Sequence, residues 1–153
     1  MSFAALWDSL LPVGRHAPTG GYRRYSWTEA DAACRAWFTE TAQERGLRAS
    51  CDRAGNLWAW WDHPRSARGA IVTGSHLDSV PDGGAFDGPL GVVSAFAAID
   101  LLMAGGFVPV RPIAVAAFCE EEAPDSAWPA WAPGCSLARS SRRRLVNCAT
   151  AAG

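Results

Sequence analysis

Two apolar, β-prone runs, Ala70-Ile-Val-Thr-Gly-Ser-His-Leu77 and Pro112-Ile-Ala-Val-Ala-Ala-Phe-Cys119, flank a segment from Gly88 to Gly105 whose Leu90, Val93, Phe96, Ala97 and Leu101 recur at helical spacing. Strand, helix and strand in that order predict two parallel strands joined by a right-handed crossover in a mixed α/β sheet. The first run has no polar alternation, which predicts a strand covered on both faces. Ligands of such sheets gather at the C-terminal ends of the strands. Here those ends carry His76 and the carboxylates Glu120, Glu121 and Glu122.

Upstream, residues 1–11 read as an amphipathic helix, with Asp8 inside the apolar run and no basic lead, so a signal peptide is not expected. The Pro- and Gly-rich stretch 12–22 is a loop whose backbone could approach a ligand closely. Ser26 with Glu29 predicts a capping box, followed by a helix with Ala33, Trp37, Phe38 and Ala42 on its apolar face that ends near Arg45. Residues 47–52 and 56–62 are β-prone and separated by Arg53-Ala-Gly-Asn, so they predict a hairpin. Trp58, Trp60 and Trp61 in its second strand are expected to pack on the core with one ring exposed, and Arg53 and Asn56 to hold the turn.

The chain has 153 residues, 49% of them apolar, enough for one domain with a core and too few for two. A net charge of −1 gives no field to capture nucleic acid or an anionic membrane, and no segment reaches spanning length. All fourteen basic residues are arginine, which points to a GC-rich coding sequence. Five cysteines without a CxxC pair fit reduced thiols in the cytoplasm better than a disulfide framework.

The chemistry concentrates between Gly74 and Gly91. In an extended chain His76 and Asp78 project to the same side, so Asp78 can take one imidazole proton and aim the other nitrogen at a metal. Asp87 follows a bend containing Pro81, Gly83 and Gly84, at the start of the next helix, where it could bridge two cations. The strand-end acids supply the partner, and such a set suggests hydrolysis by metal-bound water. His16 and His63 lie in loops where a surface role is expected.

Six segments taken together, Pro12-Val-Gly-Arg, Thr19-Gly-Gly-Tyr, Asp52-Arg-Ala-Gly-Asn-Leu-Trp, Gly74-Ser-His-Leu-Asp-Ser-Val, Gly83-Gly-Ala-Phe-Asp-Gly-Pro-Leu-Gly-Val and Phe118-Cys-Glu-Glu-Glu, give the chain from about Leu6 to Glu122 its resemblance to a known family. It resembles the dinuclear amidohydrolases of the metallopeptidase M20 superfamily, specifically the allantoate amidohydrolase and N-carbamoyl-L-amino-acid hydrolase group. The resemblance implies two divalent cations, manganese or zinc, with His76 on one, Asp87 bridging both and Glu122 on one of them. It also implies Glu121 as general base, Asp78 as the orienting acid, Glu120 as an ordinary solvated acid, and a small substrate, allantoate first or an N-carbamoyl amino acid second. The family is homodimeric through an inserted domain, and its two further metal histidines and its substrate-carboxylate arginine belong to a C-terminal region that this chain is expected to lack.

After Glu122 the character changes. Residues 123–137 follow no helical or strand period and include Trp128 and Trp131. One G restored ahead of the Ala123 codon opens a frame readable as Gly-Ser-Arg-Phe-Gly-Val, the family's continuation, and the single-codon tryptophans then force Ala and Gly where the family has them. The expectation is therefore an N-terminal piece of the catalytic domain over 1–122 and an aberrant, disordered tail over 123–153, produced by a one-base deletion, with little activity in isolation. A natural short tail is the alternative for that segment. A non-catalytic module that pairs with an intact paralogue through a sheet edge is the alternative for the whole chain.

Overall fold

The computed structural model describes residues 2–62 and 69–122; His63 and the segment 123–153 lie outside them. The elements run α1 (Phe3–Leu10), α2 (Glu29–Glu44), β1 (Arg48–Cys51), β2 (Leu57–Trp61), β3 (Ile71–His76), α3 (Pro89–Ala104) and β4 (Ile113–Phe118). The sheet order is β1-β2-β4-β3, with β1–β2 and β2–β4 antiparallel and β3–β4 parallel. The crossover read from the sequence is therefore present as β3, α3 and β4.

Alternate positions of the central strands build one core. Leu57, Ala59, Ile113, Val115 and Ala117 face Leu6 and Leu10 of α1, Phe38 and Ala42 of α2, and Val92, Val93, Phe96 and Ile99 of α3. Phe38 and Phe96 meet edge to face at 5.1 Å between centroids. On the other side of the sheet the rings of Trp58 and Trp60 stack at 5.8 Å, and Phe118 stands edge-on to Trp58. Two tryptophans thus leave the core side instead of the one expected ring, while Trp61 packs against the core cluster.

Two local expectations are corrected. Helix α2 is capped by Thr28, whose hydroxyl accepts from Asp31 N at 3.4 Å, and not by Ser26. Trp27 takes φ 68, and Asp31 returns a bond to Trp27 N at 3.0 Å, so the reciprocal cap forms two residues later than the Ser26–Glu29 pattern indicated. Strand β3 is not covered on both faces: it is the edge of the sheet, with Ile71 and Val72 exposed, and the buried central strand is β4. Both strands are apolar runs, and the pattern cannot rank which of them takes the edge.

The loop after α1 is fastened to the loop after β3. Tyr22 bridges Arg15 and Gly83, Ser79 Oγ accepts from Arg24 N at 2.9 Å, and Asp82 accepts from Arg23 Nε at 2.9 Å, Arg23 Nη2 at 3.0 Å and Thr19 Oγ1 at 2.7 Å. Arg24 is buried beneath this tie, and its guanidinium donates to Val13 O at 2.9 Å and Leu10 O at 3.1 Å. A cation at the carboxyl end of α1 meets the helix dipole favourably, and the Tyr22 ring lies 4.3 Å below it.

Candidate metal centre

His76 closes β3, next to Phe118 at the end of β4. Its Nδ1 faces two acceptors of Asp78, the carbonyl oxygen at 3.1 Å and carboxylate Oδ1 at 3.3 Å. Oδ1 is buried, and His76 Nδ1 is the donor that faces it. A proton on Nδ1 is the tautomer that serves both Asp78 acceptors and leaves the Nε2 lone pair outward for a cation. The Asp78 hydrogen bond holds the His76 pKa above its ordinary value, against desolvation.

Around Nε2 stand Glu121 Oε2 at 3.5 Å, Asp87 Oδ1 at 3.9 Å and Glu122 Oε1 at 4.0 Å. One donor atom from each of His76, Asp87 and Glu122 lies within 4.8 Å of the other two. Two ligands at about 2.1 Å from one cation stand at most about 4.2 Å apart, so His76 can share an ion with either carboxylate as placed. Desolvation, then the neighbouring Asp87 and Glu121, push the Glu122 carboxyl above its ordinary range, with His76 pulling the other way. Three acids crowded on one imidazole nitrogen form a donor set whose mutual repulsion a divalent cation would relieve.

Each donor has a structural reason for its place. Asp87 precedes Gly88, the cap of α3, and Pro89 begins the helix. A Cβ on Gly88 would come within 2.5–2.8 Å of the His76 ring, and its φ of 75 suits glycine, so the helix can begin directly over the imidazole only with glycine there. Phe86 stacks on Trp7 at 5.2 Å and seats the residue beside Asp87. Glu122 N donates to Asp78 Oδ2 at 2.9 Å, so one buried carboxylate holds both the histidine and the acidic bend.

Glu120 is exposed, as expected of a solvated strand-end acid, and it also takes φ 59 and accepts a hydrogen bond from the Trp27 indole nitrogen. His16 stays away from the cluster, with Nδ1 3.0 Å from Thr19 Oγ1 and 3.4 Å from Asp82. Sequence reasoning missed the parts played by Trp27 and Asn56; the latter accepts from Cys119 N at 2.9 Å. The Asp-Arg-Ala-Gly-Asn turn was visible, but nothing local announces a partner 63 residues away.

Residues 56–140, more than half of the chain, match the family described as peptidase family M28. The chain is 36% identical over 119 residues to an N-carbamoyl-L-amino acid amidohydrolase of Geobacillus stearothermophilus, covering 76% of this chain and 29% of that protein. It is 33% identical to allantoate deiminase 2 of Glycine max, covering 74% and 24% respectively. A solved hydantoinase/carbamoylase family amidase from Burkholderia ambifaria superposes with a TM-score of 0.72 at 35% identity, over 80% of this chain and 31% of that one. The chain thus spans under a third of the length of these relatives, whose names describe hydrolases of C–N bonds. The chain belongs to the M28/M20-like peptidase family, in its metal-dependent hydantoinase/carbamoylase group.

Proposed function

We propose that this chain is the N-terminal part of the catalytic domain of a metal-dependent amidohydrolase that cleaves a ureido C–N bond. The observation that carries the reading is the convergence of Asp87, Glu121 and Glu122 on His76 Nε2. The substrate class is a small ureido acid, allantoate first and an N-carbamoyl amino acid second, since relatives with both names share this region. Reduced thiols at Cys34 and Cys119 agree with a cytoplasmic setting, and no helix of the described residues is long and apolar enough to cross a membrane.

His76, Asp87 and Glu122 would hold the divalent cations, manganese or zinc. Bound there, such ions lower the pKa of a coordinated water so that it is a nucleophile near neutrality. Glu121 is the base: its side chain is 55% exposed, so its carboxylate is open to water and to an incoming substrate. It takes the proton from the attacking water and returns it to the departing nitrogen. Asp78 keeps the Nδ1 proton in place and thereby the orientation of Nε2.

Among the described residues His76, Asp87 and Glu122 form the group that can share a cation, and each cation of this kind takes four or more donors. The 153-residue chain should therefore bind manganese weakly and release little ammonia from allantoate. Titration with Mn²⁺ tests the site: His76→Ala should abolish binding, and unchanged binding would refute the reading. Glu121→Gln should leave binding intact and lower residual ammonia release by about 10²–10⁴-fold. The boundary at Glu122, with an aberrant 123–153 tail, is tested by the coding DNA, where a family-like second frame after codon 122 is expected. A second reading, a scaffold that pairs with an intact relative, draws on the exposed Ile71 and Val72 of the β3 edge. Co-purification with a full-length relative would select it.

A further inference from the structure

The turn between β1 and β2 reaches the strand that carries the acids. Asp52 is its hub. The Asp52 carboxylate accepts from Ala54 N at 2.9 Å, Asn56 N at 3.0 Å, Asn56 Nδ2 at 2.9 Å and Trp58 Nε1 at 3.0 Å. With its amino group committed to an acceptor-only carboxylate, Asn56 must turn Oδ1 the other way, where it accepts from Cys119 N at 2.9 Å. A flipped amide would set oxygen against carboxylate and N–H against N–H. The two neighbours therefore fix the orientation between them.

The β2–β4 ladder ends at the pair Leu57 and Ala117. Asn56 extends it with a side chain, gripping the backbone just past Phe118. Beyond that grip the chain bends at Glu120, and Glu122 N is tied to Asp78. The bend from Cys119 to Glu122 is pinned at both ends, and the two carboxylates that face His76 sit on it. Gly55 lies close by, where an added Cβ would come within 3.2 Å of Cys119 Sγ, and its carbonyl accepts from Arg35 Nη2 at 2.8 Å.

We infer that Asn56, oriented by Asp52, is a positioning residue of the metal centre, setting the direction in which the chain leaves β4 so that Glu121 and Glu122 face His76. The inference rests on the metal-centre reading above. It assigns to a hairpin turn, which touches no ligand, control over the geometry of the acids.

The test uses the full 153-residue chain, Mn²⁺ titration, and amide hydrogen exchange at Cys119 and Glu122. Asn56→Ala should weaken Mn²⁺ binding by about 10–100-fold and speed exchange at both amides, while Arg48→Ala in the same hairpin changes neither. Equal affinity in wild type and Asn56→Ala would overturn the positioning role and leave the metal centre standing. No Mn²⁺ binding by folded wild type would overturn both. If Asn56→Ala fails to fold, Asn56→Asp is compared with the double variant Asp52→Asn/Asn56→Asp, which exchanges donor and acceptor between the two positions. Recovery of at least several-fold in affinity supports the role, and none refutes it.

Discussion

At the scale of single residues, the site depends on hydrogen bonds whose direction is forced. His76 offers one nitrogen to Asp78 and the other to the acids. Gly88 is the most exacting position. Gly88→Ala would thrust a methyl into the imidazole at a positive φ, costing about 1–3 kcal/mol in backbone strain alone, and should abolish Mn²⁺ binding. Chemical denaturation with a parallel titration checks both. A separate acid-sensitive contact lies at Asp82, where the Arg23 hydrogen bond, then Thr19, lower the carboxyl to about 2. A depressed carboxyl contributes stability above its unfolded value of 3.8, and the contribution is lost as pH falls toward about 2. Melts between pH 5 and 2 should therefore fall more steeply for wild type than for Asp82→Asn. His76, Asp78 and Asp87 were legible because period-two projection and the Asp-Gly start of a helix are short-range patterns. Trp27 and Asn56 were not, because their partners Glu120 and Cys119 are 93 and 63 residues away.

At the scale of elements, α3 carries the core and the site together. Its inner face buries Val92, Val93, Phe96 and Ile99, and its first turn rests on His76. Phe96→Ala removes a fully buried ring that meets Phe38 and Trp37 and should destabilise by about 3–5 kcal/mol. Leu101→Ala on the same helix, where the side chain is 75% exposed, should stay within about 0.5 kcal/mol. Urea unfolding of the two variants checks the contrast. All seven elements could be read from periodicity and turn residues, with ends within a few residues. The cap of α2 was misplaced because Trp27 adopts a left-handed conformation that lets Asp31 close the cap, a choice invisible to a pattern of residue types.

At the scale of the molecule, helices lie against one sheet face while the β3 edge, and Phe118 on the opposite face, carry exposed apolar surface. Ile71, Val72, Val108 and Val110 are all exposed, and an apolar strand edge invites pairing with another chain. The chain should bind a hydrophobic dye and associate with rising concentration. Ile71→Lys should reduce that association in sedimentation velocity, since a charge on an edge strand opposes pairing; unchanged association would place the contact elsewhere.

By itself the sequence determined which segments become strands and helices, that β3, α3 and β4 form a crossover, and which side chains are available as metal donors. Those properties follow from restricted dihedrals and side-chain periodicity within a few residues. Only the tertiary structure decided that β3 rather than β4 takes the edge, that Glu120 turns away to Trp27, and that Asp87, Glu121 and Glu122 meet on His76 Nε2. These outcomes depend on contacts between segments far apart in the chain, whose energies exist only once packing has brought them together.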